Sequence, residues 1–183
     1  MARNLASATV RLSGNGTVAL ARWGVRLVPA LACAFGLLLG DPLAAASNKV
    51  RISNLSDVAF GSVLNLSIDA VRSQNVCLFA DTNTNNYNIT ASGTGPSGAF
   101  QLSSGAAAMA FEVQWSSAVG QSSGATLTPN VPLTGQVSAA THQTCGNGPA
   151  TSASLVVVLR SAALSSAKAG AYAGSLTLVV GPE

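Results

Sequence analysis

The chain has 183 residues, 48% of them hydrophobic and only 8% charged, with nine Lys and Arg against six Asp and Glu for a formal net charge of +3. The positive excess sits at the front, where Arg3, Arg11, Arg22 and Arg26 occur without an acid. Beyond Ala46 the cations Lys49, Arg51, Arg72, Arg160 and Lys168 balance Asp57, Asp69, Asp81, Glu112 and Glu183, which leaves no sequence-wide electrostatic case for nucleic acid or an anionic membrane as partner.

In chain order, the Arg-rich start is followed by an apolar run over residues 27–39 and then by Ala44-Ala45-Ala46. A positive n-region, an h-region and a small-residue cleavage site describe a secretory signal peptide over residues 1–46, cut after Ala46. The run is too short, and too interrupted by Pro29 and Gly36, for a transmembrane helix, so no membrane insertion of the mature chain is expected. Cys33 leaves with the leader. Cys77 and Cys145 then form an even pair in an oxidising compartment, where a disulfide is the default, and closing so long a loop stabilises by roughly 4 kcal/mol.

Residues 47–183 have the length of one domain. Short β-favouring runs are predicted at 50–61, 75–79, 87–92, 99–102, 109–115, 133–137, 154–160 and 172–180, separated by clusters such as Asp81-Thr-Asn-Thr-Asn-Asn86 and Cys145-Gly-Asn-Gly-Pro149. Residues 161–170 are too small and polar for a strand and read as a loop with one helical turn. Many short strands without intervening helices predict an all-β, immunoglobulin-like antiparallel β-sandwich.

Three strands have readable faces. Met109, Phe111, Val113 and Trp115 alternate with Ala110, Glu112 and Gln114, which sends the large residues to a core. Residues 155–159 are apolar on both faces, as in a central strand covered on both sides or one awaiting a neighbour. In the last run Tyr172, Gly174, Leu176, Leu178 and Val180 share one face. With no sequence following Glu183, this strand is expected to present an unpaired apolar edge, an invitation to assemble with another chain.

Catalytic constellations are thin. His142 is the single histidine and lacks a nucleophile motif nearby, and with Cys145 it makes only two of the ligands a metal would need. The five acids of residues 47–183 are scattered through turns and strands, whereas glycoside hydrolysis needs two that converge. Neither an enzyme nor a cofactor is expected. Gly93-Thr-Gly-Pro-Ser-Gly98 has the letters of a dinucleotide fingerprint, but between two strand runs it reads as a hairpin loop.

The order of leader, Asn54-Leu-Ser-Asp-Val-Ala-Phe-Gly61, Cys77 in a short apolar strand, Tyr87-Asn-Ile-Thr-Ala-Ser92, Met109-Ala-Phe-Glu-Val-Gln-Trp115 and Gly170-Ala-Tyr-Ala-Gly-Ser-Leu-Thr-Leu-Val-Val180 resembles bacterial chaperone–usher pilus subunits of archaic and alpha type and the spore coat protein U-like domain. The resemblance implies a sandwich lacking its last strand, exported to the periplasm and then to the cell surface as part of a fimbrium. It implies as partners a periplasmic chaperone, whose strand fills the gap first, and other pilus subunits, whose N-terminal extension replaces it at an outer-membrane usher. On this reading Tyr172, Leu176, Leu178 and Val180 line an acceptor groove, and Val50 and Ile52 project from the N-terminal extension as donor residues. Only those two stand in register before Asn54, so the donor is short, and the same segment reads equally as the first strand of the sandwich. The competing expectation is a self-sufficient secreted sandwich that binds carbohydrate or protein through its loops, with Tyr87 and Trp115 as an aromatic platform beside residues 81–86.

Overall fold

In a computed structural model, residues 48–183 and the backbone of residues 6–12 are described. The expected leader otherwise lies outside the described residues. The chain forms β1 (Ala6–Leu12), β2 (Lys49–Ser53), β3 (Ala70–Asp81), β4 (Asn86–Gly93), β5 (Gln101–Ser104), β6 (Ala107–Ala110), β7 (Glu112–Ser116), β8 (Ala125–Thr126), β9 (Leu133–Val137), β10 (Ala153–Leu159), α1 (Ser161–Ser166) and β11 (Gly174–Pro182). All strand pairs are antiparallel. One sheet has the order β1-β11-β4-β9 and the other β2-β3-β10-β7-β8, with β5 and β6 as a separate hairpin. The expected all-β antiparallel sandwich is what forms.

The core lies between the two sheets. From β11 come Leu176, Leu178 and Val180, from β4 Tyr87, Ile89 and Ala91, and from the facing sheet Val76, Val113, Trp115, Leu155 and Val157, each buried. Period-2 alternation places these residues on inner faces, and burying a large apolar side chain contributes about 1.5–3 kcal/mol. Every residue of β10 is buried. It is the central strand, held between β3 and β7, and its outward Val156 and Val158 are flanked across the ladder by Ser73, Gln114, Val71 and Glu112.

Several boundaries differ from the sequence reading, each for a local reason. The run 50–61 is a strand only over β2, because Asn54 adopts a left-handed φ of 62° and turns the chain out of the ladder. The single run 109–115 is two strands, β6 and β7, that part at Phe111, whose N–H bonds the Phe100 carbonyl instead. Residues 93–98 are not a hairpin loop, since β4 pairs with β11 and β9, and β5 with β6. Gly93 and Gly95 are there because a Cβ on either would run into the Ala99 carbonyl oxygen, so the glycines allow a close backbone approach. The hairpin turn that does form, Gly105-Ala106 between β5 and β6, uses a positive φ at Gly105, as two-residue hairpin loops require.

The free edge expected on β11 is paired. Residues of the segment read as leader form β1, which runs antiparallel to β11 from Ala6 opposite Val180 to Leu12 opposite Gly174.

Cys77 and Cys145 form a disulfide, with Cα atoms 5.9 Å apart and a sequence separation of 68. It fastens the long loop between β9 and β10 to β3. Where β3 runs past the end of β10, side chains replace the ladder: the Leu78 N–H donates to Ser152 Oγ at 2.9 Å, and the Leu78 carbonyl accepts from Ser152 Oγ at 2.7 Å and Ser138 Oγ at 2.6 Å. These hydroxyls spare a buried peptide from going unpaired.

Candidate functional site

Beside the ordered core lies an apolar groove of about 810 Å³. One wall is residues 58–63, the other residues 167–172, and the floor is made by Leu102, Met109, Val157, Leu159 and Leu164. The floor residues are the sandwich interior itself, all of them buried. This volume falls within the range of ligand-binding clefts, about 300–1,000 Å³.

The walls are unusual in their backbone. Residues 55–69 and 169–172 belong to no strand or helix. The first wall is held to β3 by side chains instead. Gln74 Oε1 accepts from the Ser56 N–H and Oγ at 2.9 Å, and its Nε2 donates to the Ser56 carbonyl at 3.0 Å. Arg72 donates to the carbonyls of Ala59 and Phe60 and sets its guanidinium 5.7 Å from the centre of the Phe60 ring. On the second wall, Tyr172 Oη donates to the Lys168 carbonyl at 3.0 Å. Next to the groove, Leu64 is 92% exposed and Ile68 60%. Two walls outside any strand ladder, over an apolar floor, leave room for an extended segment to lie between them.

The groove lies at the end of the β11 ladder. Because Leu12 stands opposite Gly174, an antiparallel track along β11 continued past Leu12 passes Ala173, Tyr172 and Ala171, the last two of which line the groove.

The expected site residues are placed as follows. Tyr172 lines the groove, half-buried. Leu176, Leu178 and Val180 are wholly buried on the inner face of β11, whose edge β1 covers. Val50 and Ile52 lie in β2, paired with Ala80 and Leu78 and buried in the chain's own core, so in this conformation they serve as first-strand residues and are not free to be donated. The groove walls 58–63 and 167–171 escaped the sequence reading, because they carry no alternation of their own.

The aromatic platform of the competing reading is absent. Tyr87 and Trp115 are both buried, in edge-to-face contact at 6.5 Å, and Trp115 Nε1 donates to Tyr87 Oη at 2.9 Å. Burial pushes the Tyr87 hydroxyl up to about 12, against the opposing pull of the Trp115 hydrogen bond.

Two of the scattered carboxylates do converge, upon a cation. Glu112 accepts two hydrogen bonds from Arg160 Nη2 and one from Nε, and Asp69 accepts from Arg160 Nη1 at 2.7 Å and from the Ser161 N–H at 2.7 Å. The Ser161 N–H and then Arg160 hold the Asp69 carboxyl below its ordinary range, and Gln114 and then Arg160 do so for Glu112. Both are therefore ionised near neutrality, whereas a glycosidase acid needs a raised value. The arrangement staples the start of α1 to β7 and the end of the 55–69 segment. His142 is exposed and its Nδ1 lies 3.0 Å from Thr141 Oγ1. Among the described residues, no group of three or more His, Cys, Asp or Glu could hold a metal ion.

Comparison with protein-family models, with curated proteins and with solved structures finds no match to this chain.

Proposed function

We propose that this protein is a structural subunit of a surface pilus, an immunoglobulin-like sandwich short of one strand, assembled by donor-strand complementation through a periplasmic chaperone and an outer-membrane usher. The observation that carries the reading is the groove: an opening onto the core whose two walls, residues 58–63 and 169–172, both lie outside the strand ladders. An opening that exposes the apolar interior of a sandwich costs stability until something covers it. A transient chaperone strand followed by a strand from a neighbouring subunit fits both walls and floor. The disulfide supports export to an oxidising compartment.

The test is to export residues 47–183 with and without a co-expressed periplasmic chaperone and to run the soluble fraction on denaturing gels before and after boiling. The proposal expects degradation or aggregation of the domain alone, and rescue by the chaperone as a stable complex or a boiling-sensitive ladder. A soluble, cooperatively folding monomer that ignores the chaperone contradicts it.

A further inference from the structure

We propose that Ala6–Leu12 is a built-in complementing strand: in the uncut chain it caps the β11 edge from within the same molecule, and severing it opens that edge to a strand from another. The inference rests on reading the β11 edge and its groove as an acceptor.

Two independent observations converge on it. The first is in the sequence, where Ala6, Ala8, Val10 and Leu12 alternate with Ser7, Thr9 and Arg11, a clean period of two within a segment otherwise marked only by its basic residues. The second is the register. Ala6, Ala8 and Val10 stand opposite Val180, Leu178 and Leu176, so the apolar positions of β1 share a face with the inward residues of β11, and the polar positions fall opposite Val179, Thr177 and Ser175 on the outer face. A one-residue slip would reverse every assignment. β1 also lies against β2, the neighbouring strand of the other sheet, which places it at the seam between the sheets.

The consequence concerns order of events. While residues 1–46 are attached, the β11 edge is covered, so another strand can pair with β11 only by displacing β1. A cut after Ala46 removes the covalent tether that keeps β1 at high effective concentration, and the strand becomes replaceable by a competitor. The replacing segment must run antiparallel to β11 and carry apolar residues at alternate positions, and a longer one would continue into the groove.

Disulfide trapping in the full chain tests this. Thr9 and Thr177 are direct cross-strand partners, and either kind of antiparallel pair brings Cα atoms within the range that a disulfide bridges. In a Cys33→Ser background, Thr9→Cys with Thr177→Cys is oxidised mildly, starting from a mixture of 14N and 15N chains, and the linked peptides are read by mass spectrometry. The expected result is a 9–177 link within chains of one isotope only. Mixed-isotope links mean that β1 comes from a second copy, and no link means that β1 does not occupy the edge; either overturns the proposal. If the cysteine pair prevents folding, the double variant Thr9→Pro/Val10→Pro serves, since one of two adjacent residues must donate to the ladder. Hydrogen exchange of the β11 amides in that variant should accelerate by more than about tenfold, and unchanged protection overturns the proposal. Chaperone binding to residues 47–183 reports on the acceptor reading alone, so the two can fail separately.

Discussion

Tyr87 and Trp115 are buried together in the core, joined by the hydrogen bond from Trp115 Nε1 to Tyr87 Oη. Tyr87→Phe keeps the ring and removes the acceptor, which leaves the indole N–H buried and unpaired. Urea denaturation should show a loss of about 1–3 kcal/mol with an unchanged slope. Because the folded Tyr87 resists ionisation until about pH 12 while the unfolded one ionises from its ordinary value of 10.0, its contribution is complete below pH 10 and declines between the two. The carboxylates on Arg160 have the opposite sign. Their folded values are depressed, so the stability they confer is present above the ordinary carboxylate values of 3.8 and 4.5 and is lost as the pH falls through the folded ones. Arg160→Met should therefore flatten the acid limb of a melting-temperature profile between about pH 5 and 2, and a limb as steep as that of the native chain would refute the assignment.

Strands were legible where alternation and burial coincide, and illegible where they part. β9 has the expected bounds, and β4, β10 and β11 lie within about two residues of them at each end, because their apolar positions alternate or run unbroken between turn residues. The division of β6 from β7 was hidden, since Met109, Phe111, Val113 and Trp115 keep one face across the break and all end up buried. The first half of β3 was missed because Arg72, Ser73 and Gln74 look like a solvated turn, whereas Arg72 and Gln74 are spent on fastening residues 56–60. β1 carries a perfect alternation that its basic surroundings masked. Of the groove only Tyr172 was legible, as the walls are two segments distant in sequence with no alternation of their own. Its chemistry is testable at one exposed wall position: Ala171→Asp should change the stability of the fold by less than about 0.5 kcal/mol and yet abolish capture by a chaperone or a donor strand, measured by pull-down. If capture persists, the strand does not enter by this wall.

For the whole molecule, two devices hold the sandwich on the proposed reading. The disulfide joins residues separated by 68 in sequence, and its loss through Cys77→Ser with Cys145→Ser should cost roughly 4 kcal/mol by chemical denaturation. The other device is whatever strand covers β11 and the groove. The direct test of that account is thermal melting of residues 47–183 alone and of the same domain extended past Glu183 by a short turn and a strand of alternating apolar residues. A missing strand predicts that the extended form melts cooperatively and at least about 10 °C higher, the shift that several kcal/mol produces in a domain of this size. Equal melting temperatures, with both forms soluble monomers, would show the sandwich to be complete.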